Sequence, residues 1–448
     1  MERQSDRGKT LSKFQRIKKI FGFRQVSSAI LIGLFSASLF LGSCSEDATN
    51  VPSQAKKAYP KNYRGPVKLG IDMLEEMNFP GLEGKKVGLI TNQTSVNRKG
   101  EQTRLVLHRS TKVNLVSLFT PEHGLEGTEK AGKHVATRTD PLTGLTAHSL
   151  YGPTRKPTPQ QLSNVDVLMF DLQDIGSRSY TYISTMVLAM EACGELGKEF
   201  VVLDRPNPMG GIRVQGPPIE EEWRSFVGQI PISYVHGMTA GELAKMTNDS
   251  GWINTSCQLE VVPMLGWNRS MIWKETGLRW VPSSPNIPNA SSPFYYVATG
   301  IFGELKIGDI GIGTSGPFEY AGGRNIDAEK FVEALRRANT PGVTFQPYTN
   351  PRLPEFSGAK IEIRPSTKTD LPALNILFIK ELGLPKDKIF VSADANPWKT
   401  FYKVYGSTRL KQQLENGATT QQIVESWKPF NSRFRTRRKP YLIYNTSR

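Results

Sequence analysis

Four short apolar runs, each stopping abruptly at a cluster of polar and titratable residues, constrain this chain more than any other feature. Residues 85–91 (KKVGLIT), 114–119 (NLVSLF), 166–171 (DVLMFD) and 200–204 (FVVLD) have the near-continuous hydrophobicity of strands buried on both faces. Stretches with helical spacing lie between and after them, at 98–109, 180–196 and 239–247. Strands that alternate with helices predict a doubly wound, mostly parallel α/β sheet. A sheet of that kind binds ligands outside the carboxyl ends of its strands.

The residues that follow each run therefore converge on one edge. Asn92, Gln93 and Thr94 follow the first; Glu122 and His123, delivered by a break at Pro121, follow the second. Gln173, Asp174, Arg178, Tyr180 and Tyr182 follow the third, and Arg205, Pro206 and Asn207 the fourth. Carboxylates and amides suit sugar hydroxyls, aromatic rings suit sugar faces, and a guanidinium suits an acidic substituent. From about residue 290 glycine and proline become frequent, and a second, smaller α/β domain is expected over 291–448, after a first domain at 66–290. A helix is predicted at 327–338, and a helix near 419–427 with a strand at 440–444 is expected to close the domain.

The first residues have another purpose. A basic region through Arg24 precedes an apolar segment at 26–41 that ends Leu41-Gly42-Ser43-Cys44. This is the pattern of a secretory signal peptide over 1–43. Its ending resembles a bacterial lipoprotein box, in which Cys44 is lipidated and starts the mature chain; residues 44–65 then form a polar tether. The expected location is the cell envelope, periplasmic or outer-membrane, with a lipid anchor in the membrane. Of the formal +16, the leader carries +6 (eight Lys or Arg against two acidic residues), so the mature chain is near +10. An envelope location makes nucleic acid a poor partner, and an anionic polymer or lipid surface a better one.

Several motifs mislead. Residues 311–316 spell GxGxxG, but Pro317 stands where a helix should start, so no dinucleotide cofactor is expected. There is no P-loop, no HExxH and no GxSxG, and no Cys or His spacing that calls for a metal; no cofactor is expected. Cys193 falls in an apolar helical pattern, and its pairing with Cys257 stays open.

Taken together, VGLITNQTSV from Val87, LFTPEHGLEG from Leu118, LYG from Leu150 and DVLMFDLQDIGSRSYTYISTM from Asp166 resemble the exo-β-N-acetylmuramidase (NamZ) family, glycoside hydrolase family 171. FVVLDRPNPMGG from Phe200, HGMTAGELA from His236 and WVPSSPNIP from Trp280 continue the match in family order. The resemblance implies a Rossmann-like first domain, a smaller second one, and release of N-acetylmuramic acid from non-reducing ends of peptidoglycan fragments. It implies Glu122 as catalytic acid, with Asn92, Gln93, His123, Arg178, Tyr182, Arg205, Asn207, His236 and Asn286 as substrate contacts. One departure is plain: the family's arginine-containing GRGT element is here Gly311-Ile312-Gly313-Thr314, ahead of Pro317-Phe318-Glu319.

Glycoside hydrolysis needs a protonated acid at the leaving oxygen and usually a second carboxylate. Glu122 fits the acid; Asp174 and Glu319 are the candidates for the second group. The lactyl carboxylate of muramic acid calls for a cation, for which Arg178 and Arg205 are the candidates. Two other readings stay open: a non-catalytic envelope lipoprotein that binds peptidoglycan fragments, and a glycosidase of the same fold acting on another amino sugar.

Overall fold

The apolar runs pair as the centre of a seven-stranded sheet in a computed structural model of the chain, which describes residues 63–446 other than 64, 352 and 384–396. The leader, Cys44 and nearly all of the tether lie outside the described residues. The strands are β1 (Lys86–Ile90), β2 (Asn114–Thr120), β3 (Arg138–Thr139), β4 (Thr146–Ser149), β5 (Val167–Phe170), β6 (Glu199–Leu203) and β7 (Gln258–Val262). Their order is β3-β4-β2-β1-β5-β6-β7, and every neighbouring pair is parallel except β3 with β4. The chain runs outward from β1 through β2 and β4, then crosses back to β5. That reversal opens a crevice at the carboxyl ends of β1 and β5. All four residues of β5 are buried, as are Val87, Leu89 and Ile90 of β1, which is why these strands carry no polar alternation.

Local hydrogen bonding trims one expected helix. The segment predicted as helical over 98–109 begins its helix at Thr103. Asn97 Oδ1 accepts from the Lys99 and Glu101 backbone N–H groups, and this local turn displaces the first helical turn. The helix Thr181–Glu195 is buried on nearly every side, and Cys193 within it and Cys257 are both free and buried.

A second sheet holds β8 (Gly308–Asp309), β9 (Tyr320–Arg324), β10 (Val343–Thr349) and β11 (Phe356–Ile363). It is antiparallel throughout, in the order β10-β11-β9-β8. Helices Ser292–Gly303, Ala328–Arg337 and Ala373–Leu382 pack with it around Ile301, Phe302, Val332, Phe345, Ile361 and Phe378. The glycines of 311–316 make the turn between β8 and β9 rather than a nucleotide loop.

The last segment ties the two cores together. The closing helix runs Thr420–Arg437, 18 residues and twice its expected length, behind a capping box of Thr419 and Gln422. Ile423 and Trp427 join the core of the second sheet, while Phe434 joins that of the first. The strand expected at 440–444 does not form; Lys439–Tyr441 is a 3-10 turn. Buried carboxylates capture the segment instead: Ile443 N–H donates to Glu242 at 2.9 Å and Tyr444 Oη to Asp204 at 2.6 Å. Both carboxylates cluster at the start of the helix Ala240–Asp249, where Glu242 also meets Arg269 at 2.6 Å.

Asp204 is fully buried, and burial pushes its carboxyl up to about 6 against the donors Tyr444, Gly241 and Thr239. Tyr444→Phe removes a donor from this carboxylate and is expected to destabilise the protein by about 1.5–3 kcal/mol. Because the folded-state value lies above the unfolded one, the charged form is the disfavoured one. The deficit should shrink as pH falls through about 6 and Asp204 takes up its proton. Denaturant unfolding of both proteins at pH 8 and pH 5 checks this; an equal deficit at both would refute the role given to Asp204.

Candidate active site

The polypeptide stops pairing at Thr120 because Pro121 has no N–H to offer. The turn that follows places Glu122 beneath the amino end of the helix Thr181–Glu195. Glu122 Oε2 accepts from Thr181 Oγ1 at 2.7 Å, and Oε1 from the Gly132 N–H at 2.8 Å. The Tyr151 hydroxyl is hydrogen-bonded to the same carboxylate; burial first, and then the Glu122 charge, push that phenol well above its usual range, so it stays a proton donor. The helix terminus adds its positive dipole end to these donors. Beside it His123 has Nδ1 2.7 Å from the Glu129 carbonyl, which can only accept. The ring proton therefore sits on Nδ1, and Nε2 is the remaining nitrogen.

Glu122 and His123 line a cavity of about 460 Å³, within the range of small-ligand sites. One wall is aromatic. Tyr180 and Tyr296 meet edge to face at 6.1 Å between centroids, and Tyr296 and Phe318 at 5.0 Å. Polar groups come from Ser179, Thr181, Ser284 and Asn286, and the charged remainder is Glu304 and Lys306. Helix Ser292–Gly303 lines it partly through Gly300, where an added Cβ would meet no heavy atom nearer than 3.8 Å; the missing side chain leaves room for ligand. Backbone strain gathers here as well. Leaving asparagines aside, the described non-glycine residues with left-handed φ are Phe79, His123, Lys306 and Phe318, and the last three line this cavity. Such strain persists where the surrounding structure enforces it, commonly at working sites.

Of the residues singled out from the sequence, Glu122, His123 and Asn286 share this cavity. Tyr180, also named at the end of the third run, lines it too, and the remaining candidate site residues do not. Arg178 is fully buried, and its Nη1 and Nη2 donate to the carbonyls of Pro217, Ile232, Val404 and Tyr405 at 2.9–3.1 Å. Burial lowers it to about 10, which leaves it charged at neutral pH. Arg205 Nε lies 2.5 Å from Asp171 Oδ1, its Nη2 2.9 Å from Oδ2. Both guanidiniums expected at a substrate carboxylate are thus committed to the scaffold. Asn92 Nδ2 donates to the Tyr182 hydroxyl, which in turn donates to the Ser283 carbonyl. Asn207 joins Met209 N–H to the Met238 carbonyl. Asp174 accepts from the Gly176 N–H at 2.6 Å and lies 3.5 Å from His236 Nε2. Glu319 is half-buried and raised by desolvation, against Lys360, yet only its neighbour Phe318 lines the cavity. Gln93 donates to the Pro282 carbonyl and, with Arg205, borders a separate cavity of about 280 Å³.

The sequence reading missed Tyr151, Thr181, Tyr296, Glu304 and Lys306 as cavity residues. Tyr151 sits inside the LYG stretch already singled out. Thr181 lies between Tyr180 and Tyr182 in another such stretch, whereas Tyr296, Glu304 and Lys306 carry no local signal, because what brings them to Glu122 is the packing of helices against the two sheets. Ile312, at the position where the arginine of a GRGT element would stand, also lines the cavity.

Fold and site together define an α/β protein with a carboxylate at the base of a sugar-sized, aromatic-walled cavity. The chain belongs to the exo-β-N-acetylmuramidase NamZ family: its N-terminal profile matches residues 87–291 and its C-terminal profile residues 294–444. The chain is 39% identical over 437 residues, 95% of its length and all of the relative's, to the peptidoglycan β-N-acetylmuramidase NamZ of Bacillus subtilis strain 168. It is also similar to two crystal structures of DUF1343 family proteins from Bacteroides fragilis NCTC 9343. One has 40% identity and a TM-score of 0.79, the other 27% and 0.67; each match covers 86% of this chain and all of the other.

The geometry separates scaffold from cavity, and stability measurements can read the separation. Arg178→Met leaves four buried carbonyls without their donors and is expected to lose about 3 kcal/mol or more. Asn286→Ala, at the cavity wall, should stay within about 0.5 kcal/mol of the parent. Equal effects in chemical denaturation would contradict this division.

Proposed function

We propose that this protein is an exo-acting glycosidase that releases N-acetylmuramic acid from the non-reducing ends of peptidoglycan fragments during cell-wall turnover. The observation that carries the reading is Glu122, held by three donors in the lining of a cavity of about 460 Å³. A space of that size suits the terminal sugar of a chain, which supports exo action. The NamZ of Bacillus subtilis bears the name of that activity, and family membership supports the same reaction here.

In this mechanism Glu122 gives its proton to the glycosidic oxygen as the bond to the anomeric carbon breaks, and a water adds at that carbon, releasing a proton that returns through solvent to Glu122. Thr181, Gly132 and Tyr151 fix the carboxyl's direction, and the Tyr180–Tyr296–Phe318 wall takes the apolar face of the ring. Glu304 is the other carboxylate of the lining among the described residues. Glu122→Gln keeps volume and removes the titratable proton. It is expected to fold and to lose at least about a hundredfold in turnover on a substrate with a natural sugar leaving group. Unchanged turnover would move the acid elsewhere.

We also propose, from the leader pattern, that the enzyme is anchored in the cell envelope by lipid on Cys44. Fatty-acid labelling of the expressed full chain should give label in the parent and none in Cys44→Ala. Equal label in both would dismiss the anchor.

A further inference from the structure

We infer that Lys306 is the specificity residue that distinguishes the muramic sugar, its ammonium pairing with the lactyl carboxylate of the bound ring; this rests on the muramidase reading above. N-acetylmuramic acid differs from N-acetylglucosamine by its lactyl ether, so discrimination must come from a group that meets that carboxylate. Glu304 already lines the cavity as a carboxylate, and an anionic ligand entering it needs a counter-charge. Neither arginine expected for the task is free: Arg178 is used by backbone carbonyls and Arg205 by Asp171.

Lys306 is the Lys or Arg side chain that lines this cavity among the described residues. Its ion pair with Glu304 is loose, at 3.8 Å, and the side chain is 63% exposed, so the ammonium keeps donors for a ligand. Its backbone is not loose. Lys306 N–H donates to the Gly303 carbonyl at 3.2 Å, and the neighbouring Leu305 is fully buried. This places Lys306 at a φ of 57°, a conformation that asparagine or glycine would adopt with less strain. The left-handed turn that closes the helix Ser292–Gly303 thus fixes the backbone of Lys306 and leaves a flexible cation at the rim of the cavity. Arg155, whose guanidinium lies over the rings of Phe226 at 4.5 Å and of the lining residue Tyr151 at 5.5 Å, is not itself part of the lining.

The test is kcat/KM on a matched pair of β-glycosides, of N-acetylmuramic acid and N-acetylglucosamine with one aglycone. It is run for the parent, Lys306→Met, Lys306→Arg and Arg155→Ala, with thermal unfolding as the folding control. The parent should prefer the muramic substrate. Lys306→Met should collapse that preference about tenfold, the lower end for a charge-assisted hydrogen bond, chiefly through KM. Lys306→Arg should restore most of it. A folded Lys306→Met protein that keeps the full preference overturns the inference while leaving the muramidase reading intact. So does a loss that follows Arg155→Ala instead. A parent that prefers the glucosamine substrate overturns both.

Discussion

The buried ion pair of Asp171 and Arg205 is the constraint on which the sheet edge depends. Asp171 directly follows β5 with no exposure to solvent, and both of its carboxylate oxygens are engaged by the guanidinium of Arg205, which follows β6. Thr103 Oγ1 donates to the same carboxylate at 2.5 Å, Ser95 donates to the Asp171 carbonyl, and Arg205 Nη2 reaches the Val96 carbonyl. Loops after β1, β5 and β6 are thereby pinned to one point. Removing either partner would leave an uncompensated buried charge, a loss of several kcal/mol. With those loops fixed, the turn into the helix Thr181–Glu195 is fixed too, and so is the Thr181 hydroxyl that orients Glu122.

The residues at the strand ends divide the labour. Asn92, Tyr182, Arg178, Asp174, His236 and Asn207 hold the edge together by hydrogen bonds to one another and to backbone. Glu122, His123 and Asn286 face the cavity. Irregular backbone at a buried edge leaves many unpaired N–H and C=O groups, and polar side chains must take them up. A motif dense in amides, arginine and phenol is therefore as much an answer to backbone satisfaction as to substrate recognition. Arg178 is the clear case, with four carbonyls held by one guanidinium.

The cavity itself belongs to neither sheet alone. Glu122, Tyr151 and Tyr180 come from the first sheet's loops and helix, whereas Tyr296, Glu304 and Lys306 come from the segment leading into the second and Phe318 from the turn between β8 and β9. The helix Thr420–Arg437 secures this arrangement by placing side chains in both cores, and Ser233 and Asn431 add a buried hydrogen bond at 2.7 Å. Left-handed backbone at His123, Lys306 and Phe318 is tolerated because packing on both sides enforces it.

The sequence by itself determined the buried strands β1, β2, β5 and β6, the helices Thr181–Glu195, Ala240–Asp249 and Ala328–Arg337, the parallel sheet and the position of Glu122. Each follows from local periodicity or from a proline that ends a ladder, and neither requires knowledge of distant neighbours. It also argued against reading residues 311–316 as a nucleotide loop, since Pro317 stands where the helix of such a loop would start. What it could not decide was which polar residues at the sheet edge face ligand and which face backbone. A guanidinium has the same composition in either place, and the difference lies in carbonyls from residues 217, 232, 404 and 405 that meet Arg178 only after folding. The missing strand at 440–444 has the same origin, because Asp204 and Glu242 offered its donors buried carboxylates. Glu304 and Lys306 became cavity residues for a like reason: helix Ser292–Gly303 packs across the mouth of the first sheet, and that contact is tertiary.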